Sequence, residues 1–536
     1  MSKPPGLLRS AAVISMAVAA SRITGLVRES VLSWLFGAGA TFDAYVLGYR
    51  IPNLARDLFA EGALAAAFVP AFTRYLTTRT REEAHELSDV TATLLLAVTG
   101  AICLVGIVFA PAFANLFAPG FHAVPGKFDL ATQLVRIMFP FLVLIALSAQ
   151  AQGILNACHK FGIPALSSSL FNIGSVVFGL TLGYWLGPRL GISAVQGMAM
   201  GVVFGGASQL VFQLPSVWRA GFGWRPRWNL HHEGLRDIMR LMGPAIIAGA
   251  SVQINVLVNT NFAAGLRDSA GHILNGPVSW LSYAYRFQQL PLGLFGISIA
   301  SAALPRMSRN AARADMEEFR NELKRSLVLV LLMTVPASVG LAVLGESMIG
   351  IVYQHGRFTP YDTHQTALAL TCYAIGLSAF ASIRLLAPAF YALGDSRTPM
   401  LVSVTAIVVN AATAYTTVRL LGFGHAGLAL SLSAVSIFNA FMLMTLLSAK
   451  IGGMHARAIG VSFAKILAAS AVMGAVTLAV LHVTHSRAWN ILAGVPAGVA
   501  VFYAMGVTLR IPELVHARDT LLAKFYRVVA APETRL

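Results

Sequence analysis

Runs of about twenty apolar residues, separated by short polar or glycine-containing connections, recur along almost the whole chain. Each is long enough to cross about 30 Å of hydrocarbon as an α-helix. They predict about fourteen membrane-spanning helices, near residues 9–36, 43–72, 89–113, 131–155, 162–186, 193–217, 238–263, 277–304, 326–345, 364–391, 399–420, 425–448, 460–483 and 489–509. A transmembrane β-barrel would show alternation over about ten residues per strand instead. The expected fold class is an all-α polytopic membrane protein. The first run follows Lys3 and Arg9 as a secretory leader would, but it continues through Arg22, Arg28 and Glu29 without a small-residue cleavage site, so it reads as the first helix.

The pattern repeats. With an offset of 236, Tyr49-Arg50-Ile51 falls on Tyr285-Arg286-Phe287, and Leu54 on Leu290, Leu58 on Leu294, Phe59 on Phe295 and Ala66-Ala67 on Ala302-Ala303. Six helices separate the copies, so both have the same orientation and the pseudo-two-fold axis runs along the membrane normal. The expected organisation is an N-terminal lobe over 1–220, helices one to six, and a C-terminal lobe over 221–450, helices seven to twelve, around a central cavity. Helices thirteen and fourteen, 451–510, and a basic tail, 511–536, complete it. Parallel lobes with a site between them suggest rocking, alternating access. Pro52, Pro140, Pro244, Pro291, Pro336 and Pro388 are candidate kinks.

Composition agrees with the class: of 536 residues 57% are hydrophobic and 11% charged, against about 25% charged in soluble domains. Positive charge gives the orientation. With the N-terminus inside, the even-numbered connections and both tails hold 25 of the 39 Lys and Arg, the spans 8, and the external loops 6: Lys127, Arg189, Arg267, Arg357, Arg419 and Arg487. That asymmetry predicts cytoplasmic termini. The net charge of +17 then reads as a topology signal and an attraction to anionic phospholipids, and it needs no nucleic acid to explain it. The three cysteines, Cys103, Cys158 and Cys372, suit neither a metal nor a disulfide framework and read as packing residues.

Charge inside the spans changes the picture more. Arg22, Arg28, Arg50, Arg56, Arg286 and Arg384 all lie in apolar stretches. At roughly 2.5 to 3.5 kcal/mol each, six lipid-facing arginines would cost on the order of 15 to 20 kcal/mol, so they are expected to line a wet interior. A mid-membrane cavity of guanidinium groups suits an anion, and phosphate matches their planar fork best. On the second helix Asp43, Arg50, Asn53, Asp57 and Glu61 are spaced seven, three, four and four, which makes one polar face. Arg56 lies off that stripe. On the first helix Ser21 with Arg28, and Arg22 with Glu29, are two turns apart; the eighth adds Ser279, Tyr283, Arg286 and Gln289. The acids Glu29, Asp43, Asp57 and Glu61 read as counter-charges or gating groups. The alternative is structural pairing, Arg28 with Glu29 or Asp43 and Arg50 with Asp57, but six arginines outnumber four acids. Arg136 and Lys465 lie near span ends, can snorkel, and are left out of the site.

The strings Ser21-Arg22-Ile23-Thr24-Gly25-Leu26-Val27-Arg28-Glu29, Phe36-Gly37-Ala38-Gly39 with Asp43, Arg50-Ile51-Pro52-Asn53, Phe59-Ala60-Glu61-Gly62-Ala63 and Phe68-Val69-Pro70 closely resemble the MurJ (MviN) lipid II flippases. So do Ile163-Pro164 with Asn172, Tyr353 to Thr359, and Leu386-Ala387-Pro388 with Phe390-Tyr391. The resemblance covers helices one to eleven; the last two helices match by hydropathy only. It implies a fourteen-helix member of the multidrug/oligosaccharidyl-lipid/polysaccharide exporter superfamily. Such a protein moves lipid II, the undecaprenyl-diphosphate-linked disaccharide-pentapeptide, from the inner to the outer leaflet of the bacterial cytoplasmic membrane. It also implies that Arg22, Arg28, Arg56 and Arg286, with Ser21, meet the headgroup, that Glu29 and Asp43 are the family's acids, and that helices thirteen and fourteen border a groove for the lipid tail. One departure stands out: Tyr285 occupies the place where the family often has an acid.

No catalytic centre is expected. Gly126-Lys127 is followed by Phe128, so no ATP-binding loop of the Gly-x4-Gly-Lys-Ser/Thr kind occurs there, and no metal cluster or nucleophile–base arrangement stands out. The expectation is a non-enzymatic, secondary-type transporter without cofactor, driven by an ion gradient or the membrane potential, acting as a monomer, with possible contacts to cell-wall synthesis machinery. A flippase for another undecaprenyl-diphosphate-linked polysaccharide repeat unit remains the alternative. A drug or cation exporter calls for a net negative cavity, and a scaffold for no charged interior at all.

Overall fold

The computed structural model describes residues 7–483 and 486–515; the tail beyond Val515, and the side chain of Glu61, lie outside the described residues. Fourteen helical rods occur among them, at the fourteen predicted positions: α1 Leu7–Phe36, α2 over 40–78, α3 Arg81–Val108, α4 Lys127–Ala157 with a turn at Phe139 and Pro140, α5 Gly162–Leu190, α6 Ala194–Arg219, α7 Glu233–Ala264, α8 Pro277–Ala312, α9 Met316–Tyr353, α10 Pro360–Ala392, α11 Arg397–Leu420, α12 Gly424–Lys450, α13 Ala456–Val483 and α14 Arg487–Thr508. Eleven of them, α3 to α6 and α8 to α14, are long and apolar enough among the described residues to cross a membrane. One isolated bridge, Arg267 with Ile273, is the nearest approach to β-structure there. The third run was expected to reach residue 113; its helix ends at Val108, and a separate helix, Ala110–Phe117, comes next with proline in its first turn. Pro111 has no N–H to continue the ladder, which is why the rod breaks there.

The repeat is carried in the backbone. Four π-helical turns interrupt the rods, at Asp57–Glu61 in α2, Thr181–Leu186 in α5, Leu292–Ile297 in α8 and Thr416–Leu420 in α11. They pair off at the offset of 236 to within a residue or two, α2 with α8 and α5 with α11. π-Turns are rare and concentrate at functional sites, so coincident pairs at one offset record a duplicated helix set.

The chain divides into two compact units, Met1–Ser279 with His355–Phe358, and Trp280–Gln354 with Thr359–Leu536. In the first, α7 packs beside α2: Arg74 bonds Asp237, and Arg50 bonds Thr260. Its core includes Leu64, Phe68, Phe72, Leu87, Ile154 and Phe222. The core of the second unit is built on α8 to α10, α12 and α13, with Phe319, Leu327, Leu385, Phe390, Leu447 and Ile466.

Close packing of α5 on α6 holds α5 in place beside α1. A Cβ at Gly201 would sit 2.4 Å from the Ser175 carbonyl oxygen, and one at Gly205 2.6 Å from that of Phe171. Such small-residue contacts let helices approach where no hydrophobic force drives them together in lipid. Gly201→Val is therefore expected to cost roughly 1 to 3 kcal/mol, seen as a lower midpoint of thermal unfolding in detergent. Gly100→Val, at a position with nothing within 4 Å of the added carbon, should leave the midpoint unchanged; equal losses would sink the packing account.

Candidate functional site

Two turns of α1 hold the first cluster. Asn172 of α5 donates to the Ser21 carbonyl (3.2 Å) and to Thr24 Oγ1 (3.3 Å), and Gly25 lies against its amide, where a Cβ would be 3.4 Å away. This ties α1 to α5 in one register. Arg28, further along α1, is buried at 8% exposure with its guanidinium over the rings of Tyr49 (5.7 Å) and Phe171 (5.3 Å). Glu29, also buried, sits 3.6 Å away. Two aromatic faces and one loosely placed carboxylate stabilise this cation, yet its Nε finds no hydrogen-bond partner among the described residues. A buried donor left unmet costs about 1 to 3 kcal/mol. Arg28 is thus preorganised and under-satisfied, a state that an incoming acceptor relieves. Arg22 is exposed, and Ser21 half-buried with its carbonyl committed to Asn172.

The second cluster lies where α2 meets α7. Arg50 Nη1 donates to Thr260 Oγ1 at 2.6 Å. Arg56 reaches Asp57 through Nε (3.3 Å) and Nη2 (3.0 Å), and the other carboxylate oxygen accepts from Asn53 and Gln253, each at 3.4 Å. Arg56, off the stripe of an ideal helix, shares this carboxylate with stripe residues because it is the sequence neighbour of Asp57 and its long side chain reaches back to it. Gln253 and Thr260 belong to this cluster although the sequence pattern did not single them out; polar residues within an apolar run of α7 were the available signal.

Asp43 belongs elsewhere. Its carboxylate is 1% exposed and accepts from Lys127 Nζ (2.8 Å), the Gly276 N–H (2.9 Å), and the Ser279 N–H (2.9 Å) and hydroxyl (2.5 Å). Lys127 in turn bonds Asn275 Oδ1 at 2.8 Å and lies 4.2 Å from the centre of the Phe121 ring. The charge count placed Lys127 in an external loop; it is in fact the first residue of α4 and buried at 3% exposure. Asp43 and Ser279 are 236 apart, one repeat.

In the second unit Arg286 on α8 and Arg384 on α10 are both exposed, and Tyr285 stands edge-on to Tyr373 at 5.9 Å. A largely apolar cavity of about 650 Å³ runs between α9, α10, α12 and α13, lined among others by Leu331, Val335, Ile375, Phe441, Phe463 and Leu467. Its lining includes residues of α13 and none of α14. Among the described residues no group of three or more His, Cys, Asp or Glu could hold a metal ion, and Cys103, Cys158 and Cys372 are unpaired thiols.

Residues 32–495 match the family model described as lipid II flippase MurJ. A probable lipid II flippase MurJ of Vibrio cholerae is 35% identical over 452 residues, 82% of this chain and 82% of its own length. The lipid II flippase MurJ of Burkholderia cenocepacia is 32% identical over 441 residues, 82% of this chain and 83% of its own. A solved lipid II flippase MurJ in an inward closed conformation aligns over 95% of this chain and 99% of that one, with 25% identity and a TM-score of 0.76. An inward-facing multidrug resistance MATE family transporter of the MOP superfamily shares the fold at 16% identity, with a TM-score of 0.65 over 81% of this chain and 94% of its own. Helix plan, internal repeat, buried arginine and family match converge, and this chain belongs to the lipid II flippase family MurJ.

Proposed function

We propose that this chain moves lipid II from the inner to the outer leaflet of the bacterial cytoplasmic membrane, by alternating access between lobes at 1–220 and 221–450. The observation that carries the reading is Arg28, a buried guanidinium held by two rings with one donor unmet. The barrier to flipping is the charged, sugar-bearing headgroup in hydrocarbon; the long tail can stay in lipid throughout. Arg28 and Arg22 with Ser21 on α1, Arg50, Arg56 and Asn53 on α2, and Arg286 and Arg384 in the second unit replace phosphate hydration with charge-assisted hydrogen bonds. Glu29, Asp57 and Glu61 act as counter-charges that hold the arginines when no headgroup is bound. Asp43 is a lock rather than a ligand. The 650 Å³ apolar cavity accepts part of the tail.

Transport is secondary. One positive charge carried through 100 mV yields about 2.3 kcal/mol, and a cavity lined by arginines reports that field as it reorients. The protein works as a monomer among anionic phospholipids, without a cofactor, both termini in the cytoplasm, and hands its cargo to wall-synthesis enzymes outside. The matched relatives favour lipid II over another undecaprenyl-diphosphate-linked repeat unit. The experiment is depletion in the native bacterium followed by an external probe that cleaves the exposed lipid II headgroup. Exposure should collapse and return with the wild-type chain; unchanged exposure, with redundancy excluded, moves the polysaccharide unit to the front.

A further inference from the structure

Outside the flipping site, aromatic and basic side chains concentrate in the connection from α6 to α7, which lies wholly in the first unit. Its backbone is pinned to the first turns of α3. The Arg225 N–H donates to Asp89 Oδ1 at 3.0 Å and the Arg227 N–H to Thr93 Oγ1 at 3.1 Å, while Arg81 Nη2 donates to the Ala220 carbonyl at 2.5 Å. Phe222 is buried, its ring 5.2 Å from that of Phe72 and 5.8 Å from that of His85. Asp89 is buried as well and faces His85 Nδ1 at 3.1 Å, so the connection is held by a carboxylate that it helps to cover.

Fixed through its main chain, the connection leaves its large side chains outward. Trp218 at the end of α6, then Trp224, Trp228 and Leu230, are each more than half exposed, three tryptophans within eleven residues. Three observations say what meets them. On α6 the exposed residues Phe204, Val211 and Trp218 lie seven apart, one face that is apolar down to Trp218. Thr93, which also accepts from Trp224 Nε1 at 3.4 Å, lies three residues into the apolar run that starts at Val90, so the connection sits at the depth where hydrocarbon begins. And the other tryptophans of this unit, Trp34 and Trp185, are exposed near the far ends of α1 and α5, whereas α6 ends and α3 begins on the side where the chain begins. Tryptophan in two such belts marks the two interfaces of a bilayer; a soluble partner would need only one. Charge complements the belt. Arg219 and Arg225 are exposed and take part in no ion pair among the described residues, whereas Arg227 meets Glu86 at 3.4 Å.

We propose that residues 218–230 clamp the inner-leaflet interface, with Trp218, Trp224 and Trp228 at headgroup depth and Arg219 and Arg225 on the phosphates of anionic glycerophospholipids. The clamp shares no residue with the flipping site or with the apolar cavity of the second unit. Only the choice of leaflet rests on the cytoplasmic termini proposed above; the contact with lipid does not.

The test is tryptophan quenching of the full chain in phosphatidylcholine nanodiscs that carry a small fraction of brominated phosphatidylglycerol or brominated phosphatidylcholine. The difference between wild type and Trp224→Phe/Trp228→Phe isolates the emission of those two rings, and Trp228→Phe alone serves if the double variant folds poorly. Bromine near the headgroup should quench that emission more than bromine deep in the chain, and phosphatidylglycerol should do so at a lower fraction than phosphatidylcholine. Arg219→Gln/Arg225→Gln should weaken the preference for phosphatidylglycerol roughly fivefold for each arginine removed. Arg219→Lys/Arg225→Lys should keep it, which separates lost charge from a lost fold. Quenching by aqueous iodide in place of brominated lipid overturns the proposal, since the connection would then stand in water, open to a soluble partner. Equal quenching by the two lipids overturns it too, because the arginines would select nothing. The assay reads neither flipping nor orientation, so its failure leaves the result of depletion and headgroup exposure untouched.

Discussion

Arg28→Met is expected to abolish headgroup exposure, and Arg28→Met/Glu29→Gln to do so while leaving the fold at least as stable as wild type. Both halves of that expectation rest on the same geometry. The side chain is buried between Tyr49 and Phe171, with Glu29 at 3.6 Å and Nε unpartnered among the described residues. Replacing a buried ion pair whole by uncharged residues of similar volume is often neutral or stabilising by about 1 to 4 kcal/mol, whereas removing one partner alone costs about 3 to 5 kcal/mol. Arg28→Met alone leaves Glu29 behind as a buried acid and so loses stability; the double variant removes both charges and does not. Function moves the other way. Each charge-assisted hydrogen bond to a phosphate is worth about 1.5 to 3 kcal/mol, so losing one slows transport roughly ten- to a hundredfold and losing a bidentate pair stops it on the timescale of growth. Arg28→Lys should fall between, because an ammonium keeps the charge and loses the planar fork. The measurements are headgroup exposure in depleted cells supplied with each variant, and thermal unfolding of the same variants in detergent. A loss of exposure in the double variant accompanied by a large drop in its unfolding temperature would make Arg28 a structural residue.

Much of the helix plan was legible in the sequence because it is local. Membrane crossing demands long apolar runs, and the fourteen rods lie where those runs lie; their ends are less legible, since α9 spans Met316–Tyr353 against a run of 326–345, α3 starts at Arg81 against 89 and α8 ends at Ala312 against 304, the helices continuing into polar residues that hydropathy does not mark. The repeat was legible as a handful of identities around Tyr49 and Tyr285, and the paired π-turns give it a physical form that no residue pattern announces, since a π-turn needs no special amino acid. What the sequence hides is pairing across helices. Asp43 looked like one more member of the α2 stripe, and Lys127 like a loop cation counted for topology, yet 84 residues apart they form a buried ion pair. Arg56 looked misplaced on the helix wheel, yet its side chain is long enough to reach the neighbouring Asp57 carboxylate. Arg22, Arg286 and Arg384 are exposed in the structure, as a ligand-facing role requires; exposure alone does not assign that role, so they stand with Arg28 as residues to vary.

Breaking the Asp43–Lys127 pair should produce the largest loss of stability in the molecule. Both side chains are 1% exposed and 2.8 Å apart. Asp43 also holds the Gly276 and Ser279 N–H groups and the Ser279 hydroxyl, so four donors converge on one carboxylate. Asp43→Ala strands a buried ammonium with Asn275 and the Phe121 ring for company, and orphans the donors that start α8; removal of one partner of such a pair costs about 3 to 5 kcal/mol. Lys127→Ala should cost less, because the carboxylate keeps three neutral donors. The double substitution should recover part of the loss, for it removes both charges together and leaves unmet only neutral groups, the donors at Gly276 and Ser279 and the Asn275 Oδ1 acceptor. Thermal unfolding of the four chains in detergent closes this double-mutant cycle. A coupling near zero would mean that the two charges are separately solvated and that the lock is the carboxylate's grip on the start of α8 alone. A strong coupling, with transport unchanged in those double-variant molecules that still fold, separates this pair from the cargo's path. It would place the family's acid at position 43 among the residues that assemble the helices rather than among those that touch phosphate.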